Sequence, residues 1–164
     1  MDIAPKGYGT QNAEEEARAL FPFASIERLD TDVTGGDGEK TREILSRFRK
    51  GEIDILLGTQ MIAKGLNFPK VSLVGVLNAD SSLAMPDFRS GERTFDLLHQ
   101  VAGRAGRYRD DGLVIIQTTQ PTAPPIQAAA QNDLETFYDR EISERRETLF
   151  PPFSRLVNLT IRGK

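Results

Sequence analysis

Cysteine does not occur anywhere in the 164 residues, so the chain can hold neither a disulfide framework nor a cysteine-ligated zinc. Tryptophan is missing too, and histidine occurs once, at His99, which by itself cannot build a histidine metal cluster. No stretch approaches the ~18 consecutive apolar residues of a membrane span. The opening MDIAPKGYGT has neither the basic start nor the apolar middle of a signal peptide. Positive charge is not in excess either: 21 Lys and Arg face 24 Asp and Glu, for a net charge of −3. Binding nucleic acid by bulk charge leaves a basic footprint. Any such contact here must therefore be local, which counts against a stand-alone nucleic-acid binder. The expected class is a cytoplasmic globular chain with no membrane partner.

Hydrophobic residues make up 38% of the chain and charged residues 27%, ordinary values for a folded protein. The length suits one domain with a sizeable core. The helix formers from Gln11 to Phe21, stopped by Pro22, predict a helix, and Ser25 to Asp30 alternates like a short strand. Thr34 to Gly38 is a glycine-rich loop. From Glu39 to Lys50, Ile44, Leu45 and Phe48 share one helical face, and Gly51 supplies the stop. The short apolar runs Ile53–Leu57, Val71–Leu77 and Leu113–Thr118 predict strands buried on both faces, with a helix over Phe95–Ala102 between the last two. This alternation predicts an α/β fold with a mainly parallel sheet flanked by helices.

Beyond Thr118, Gln120-Pro-Thr-Ala-Pro-Pro125 reads as a stiff connector, followed by helix to about Thr148. Phe150-Pro-Pro-Phe153 breaks the chain, and Leu156–Ile161 reads as a strand. Three segments are expected: a main lobe over 1–119, a helical connector over 120–149, and the start of a truncated domain over 150–164. There is no internal repeat.

The sharpest chemistry lies in Gln100-Val-Ala-Gly-Arg-Ala-Gly-Arg107. Two arginines three apart at a helix end project the same way, and Gly103 and Gly106 clear side chains from beside them. Convergent guanidiniums over a bare surface suit a polyphosphate and can stabilise charge on a transferred phosphoryl group. The plainer reading is a helix C-terminus whose dipole favours cations. A second feature is Leu56-Leu-Gly-Thr-Gln-Met-Ile-Ala-Lys-Gly-Leu-Asn-Phe-Pro69. There a buried strand delivers Thr59 and Gln60 to its carboxyl edge, where open α/β sheets bind ligands. Hydroxyl, amide and backbone N–H groups can hold a phosphate without reading sequence. Gly65 then turns the chain, and Asn67 can hydrogen-bond a sugar or nucleotide edge. The plainer reading is the polar loop common after any α/β strand.

Taken as whole strings, the two features resemble motifs VI and V of superfamily-2 helicases, which bind ATP between two RecA-like lobes. The resemblance implies a RecA-like second lobe. Arg107 would be the arginine finger, Arg104 a second γ-phosphate contact, and Gln100 and Gly103 would lie at the nucleotide cleft. Thr59, Gln60 and Lys64 would lie along the DNA backbone, with Gly65 and Asn67 on the nucleotide side. Many relatives carry Asp where Asn67 stands.

Three further strings resemble the PriA-type replication-restart helicases: Gly7-Tyr-Gly-Thr-Gln-Asn-Ala-Glu-Glu-Glu16, Pro86-Asp-Phe-Arg-Ser-Gly-Glu-Arg93 and Arg145-Arg-Glu-Thr-Leu-Phe-Pro-Pro-Phe153. Asp30-Thr-Asp-Val-Thr34 fits the same pattern. This resemblance implies a 3′-to-5′ DNA helicase acting on forked, single-strand-containing DNA in primosome assembly and fork restart. Its implied partners are the first lobe of the same chain, primosome proteins and single-stranded-DNA-binding protein. Its implied cofactors are ATP with magnesium, held mainly by the first lobe, and zinc in the full-length family but not in this segment.

No Gly-x-x-x-x-Gly-Lys-Thr phosphate loop and no Asp-Glu-x-His string is present, so this segment alone is expected neither to hydrolyse ATP nor to unwind DNA. Arg89 and Arg93 fit either a solvated face or a contact with DNA or the other lobe. His99 fits a packed or surface position. Two other readings remain open: the lobe of a RecG-like fork-remodelling translocase, and a non-enzymatic RecA-like docking module.

Overall fold

The computed structural model describes residues 9–30, 35, 37–59, 68–105, 112–157 and 159–161, with Arg104 and Ala105 described by their backbone alone. These residues form two compact units, one from residues 1–78 and 100–116, the other from 79–99 and 117–164.

In the first unit, α1 (Thr10–Leu20) runs into Pro22 and leads to β1 (Ile26–Leu29). Helix α2 (Gly38–Lys50) starts at Asp37, whose carboxylate accepts the Glu39 N–H at 2.8 Å, satisfying one of the donors a helix start leaves open. It ends at Gly51 in the left-handed region (φ 86°), a conformation natural to glycine. Strand β2 (Ile55–Gly58) pairs parallel with β1, from Ile26 opposite Ile55 to Leu29 opposite Gly58. Leu29, Ile44 and Ile53 form the buried centre, with Leu45, Phe48 and Leu56 packed around it. The helical face read from the sequence is therefore the one that packs.

Strands β3 (Leu73–Val76) and β4 (Leu113–Ile116) form a second parallel ladder. The expectation of strands buried on both faces fails here. Leu73, Leu113 and Ile115 are each more than half exposed, and exposure alternates along both strands. Cover on both faces comes from elements packed against a sheet, and among the described residues one face of this ladder is left open.

The second unit holds α3 (Asp80–Leu83), α5 (Pro124–Gln131) and α6 (Leu134–Glu147). Helix α4 (Ser90–Ala105) gives residues 90–99 to this unit and 100–105 to the first. The predicted helical stretch is two helices, parted at Asn132, which adopts the left-handed region (φ 56°), and Asp133, whose side chain caps α6 through the Thr136 N–H. Phe95 is fully buried and stacks on Phe137 at 4.2 Å; Leu98, Ile126 and Ala129 are buried as well. A cleft of about 360 Å³ in this unit is lined by Leu83, Phe88, Gly91, Pro125, Phe137 and Glu141, among others. The strand expected over Leu156–Ile161 is absent among the described residues. Leu156, Val157, Leu159 and Ile161 are exposed there, with no ladder to take their backbone hydrogen bonds.

Candidate functional site

Parallel pairing sets one edge of the β1–β2 ladder. Since Leu29 lies opposite Gly58, the next residues, Asp30 and Thr59, leave at the same carboxyl edge. Thr59 is exposed there. Asp30 is buried: it accepts the Thr10 hydroxyl at 2.5 Å and lies 3.3 Å from Arg28 Nε, which also meets Glu14 at 3.4 Å. It anchors the strand end to α1 and is closed to a ligand.

At the other ladder, the Ala79 N–H donates to Gln117 O at 3.0 Å, carrying the pairing past β3. Asp80 then accepts the Thr118 hydroxyl at 2.7 Å and the Thr119 N–H at 2.8 Å. The Thr118 hydrogen bond, with that of the Thr119 backbone behind it, holds the Asp80 carboxyl below the usual carboxylate range. Sequence reasoning passed over Asp80. The available signal was a carboxylate just after an apolar strand, where the carboxyl edge of the sheet should lie.

Helix α4 carries the arginine motif. Thr94, Phe95, Leu98 and Val101 form its buried stripe, following the helical period. Gln100 and Gly103 are exposed on the opposite side, and the backbone of Arg104 follows Gln100 by about one turn. Among the described residues, no atom lies within 4 Å of where a Gly103 Cβ would stand. The bare surface at Gly103 is therefore not imposed by packing against any described residue. His99 stacks on Phe95 at 5.6 Å, and its Nδ1 is buried without a hydrogen-bond partner. It is a packed side chain.

Gln100, Gly103 and the Arg104 backbone thus share one helix, while Thr59 stands on another element, at the exit of β2. The side chain of Arg104, together with Gln60, Lys64, Gly65, Asn67 and Arg107, lies outside the described residues. In the string before the motif, Arg93 pairs with Asp87 at 2.7 Å. The Arg89 N–H and the charge of Arg93 hold the Asp87 carboxyl below its ordinary range. Arg89 is exposed, with its guanidinium over the Phe88 ring, 5.3 Å from its centroid. Among the described residues, no three His, Cys, Asp or Glu side chains are grouped to hold a metal ion, and no helix is long and apolar enough to cross a membrane.

The helicase conserved C-terminal domain matches residues 12–109. The chain is 52% identical over its whole length to the replication restart protein PriA of Treponema pallidum (strain Nichols). It is 52% identical over 94% of its length to that of Bacillus subtilis (strain 168) and 42% over 99% to that of Borreliella burgdorferi. It spans 25%, 19% and 24% of those proteins, a quarter or less of each. Thr59, Gln100, Gly103 and Arg104 all fall within the matched residues, and the chain belongs to the helicase conserved C-terminal domain family.

Proposed function

We propose that this chain is the second motor lobe of an ATP-dependent 3′-to-5′ DNA helicase acting in primosome assembly and the restart of stalled replication forks. The observation that carries this reading is the open face of α4. Gln100 and Gly103 are exposed opposite the buried stripe, and Arg104 follows one turn on, which leaves room for a polyphosphate against the helix. ATP with magnesium, held mainly by the first lobe, supplies the phosphoryl group that passes to water.

Gln100 and Gly103 line the nucleotide side of this lobe, with Gly65 and Asn67 beside them. Arg104 meets the γ-phosphate, and Arg107 is the finger that stabilises charge on the transferred group. Thr59 stands at the strand exit, where with Gln60 and Lys64 it grips the DNA backbone without reading bases. Nucleotide binding draws the two lobes together, hydrolysis releases them, and the cycle moves the Thr59 loop along a strand.

The partners are forked DNA containing single strands, the first lobe, primosome proteins and single-stranded-DNA-binding protein, and the setting is the cytoplasm. Residues 1–119 form the lobe, 120–149 a helical connector, supported by α5 and α6, and 150–164 the start of a further domain. Zinc belongs to a part of the full-length protein outside this cysteine-free chain.

The test is ATPase turnover of the first lobe with DNA, adding this chain as wild type or as Arg107→Ala, and the same substitution in the full-length protein. An arginine finger contributes ~10³-fold or more in turnover. The wild type is expected to stimulate and the variant to fail. Unchanged turnover in full-length Arg107→Ala overturns the finger assignment and favours a docking module.

A further inference from the structure

Two of the strings noted in the sequence, Pro86–Arg93 and Arg145–Phe153, have no task in the reading above, yet they meet in space. Phe88 stacks on Phe150 with ring centroids 5.2 Å apart and planes 6° from parallel. The Arg145 guanidinium lies 5.3 Å from the centroid of Phe88. Its Nη2 donates to Glu92 on the first turn of α4 at 2.6 Å and to Glu141 at 3.0 Å. The Arg145 side chain is only 15% exposed, so water screens this pair poorly.

Two more contacts tie α6 to the same stretch of α4: Phe137 stacks on Phe95, and the Tyr138 hydroxyl donates to Asp96 at 3.1 Å. The approach is close. A Cβ at Gly91 would stand 3.1 Å from Glu141 Oε1 and 3.6 Å from Pro125 Cγ. A side chain at this position would require the Glu141 carboxylate to give way by a few tenths of an ångström. Helix α6 lies beyond the residues matched to the helicase family, which end at 109.

We propose that Arg145, with Glu92 and the Phe88–Phe150 stack, is a positioning device that sets the orientation of α4, so that turnover depends on a segment outside the helicase-family match. This rests on the motor-lobe reading above. Glu92 and Arg104 are twelve residues apart on one continuous helix, about 18 Å at the α-helical rise. A tilt of ~5° at the Glu92 end moves the Arg104 end by about 1.5 Å. Misplacing a reacting group by about 1 Å can cost ~10²-fold in rate. The clamp needs no contact with nucleotide to control the chemistry.

The experiment uses the full-length protein with Arg145→Met, which keeps the stem against Phe88, with Glu92→Gln, which keeps the carboxylate's shape, and with both. DNA-stimulated ATPase is resolved into kcat and KM, alongside thermal unfolding of each variant. Glu92→Gln keeps the test decisive if Arg145→Met does not fold. A kcat fall of about 10-fold or more, with KM for DNA within about two-fold, and a double variant no worse than the worse single one establishes the device. Unchanged kcat with a lowered melting temperature overturns it, leaving a joint that only stabilises. Fully additive losses also overturn it, because the two residues then act separately. Absence of DNA-stimulated turnover in the wild type removes the motor-lobe reading and this inference with it.

Discussion

A single glycine separates two demands that usually coincide. Gly103 sits within α4 with no described residue near where a Cβ would stand, so its bareness serves no packing among the described residues. Glycine inside a helix costs about 0.5–1 kcal/mol relative to alanine. Gly103→Ala is therefore expected to raise the unfolding midpoint of the chain. In the full-length protein it is expected to lower ATP turnover, because the added methyl stands where a polyphosphate would lie against the helix. Calorimetry paired with an ATPase assay checks this, and a gain in both would end the functional reading of the residue. Gly91 is the opposite case, for its bareness is spent on the approach of Glu141 and Pro125 within the chain.

Among the elements, α2 owes a definite share of its stability to its ends. Asp37→Ala removes the side-chain acceptor for the Glu39 N–H and is expected to cost about 1 kcal/mol. Urea unfolding at neutral pH measures it, and a loss near zero would mean that water caps the helix equally well. This helix was legible in the sequence down to its packing face and its Gly51 stop, because capping chemistry and helical period are local signals. The parallel pairing of short apolar strands was legible from their alternation with helices. Their burial was not. Whether Leu73, Leu113 and Ile115 are covered depends on what packs against them, which no strand's own pattern states. The exposed face of Gln100 and Gly103 was not read from the sequence, and the grip of Arg145 on Glu92, 53 residues away, had no local signal. Leu156–Ile161 shows the limit of propensity: an apolar, β-branched run makes no strand among the described residues without a neighbour to complete the ladder.

For the molecule as a whole, acid tests the carboxylate anchors. Asp80 and Asp87 both sit below the ordinary carboxyl value of 3.8, held by hydrogen bonds from Thr118 and from the Arg89 backbone respectively. The unfolded carboxyls take up their protons first as pH falls. The stability these two contribute is therefore complete above about pH 4 and drains away as pH drops through their lower folded values. Denaturant midpoints measured from pH 7 down to pH 3 should fall toward the acid end, and Asp80→Asn should flatten part of that fall; an unaltered profile would show that Asp80 is not one of its sources. The cleft lined by Phe88, Gly91, Pro125, Phe137 and Glu141 lies open where α6 flanks α4. On the positioning proposal, a bulkier side chain there that pries α6 from α4 is expected to lower turnover at saturating nucleotide as much as at low nucleotide.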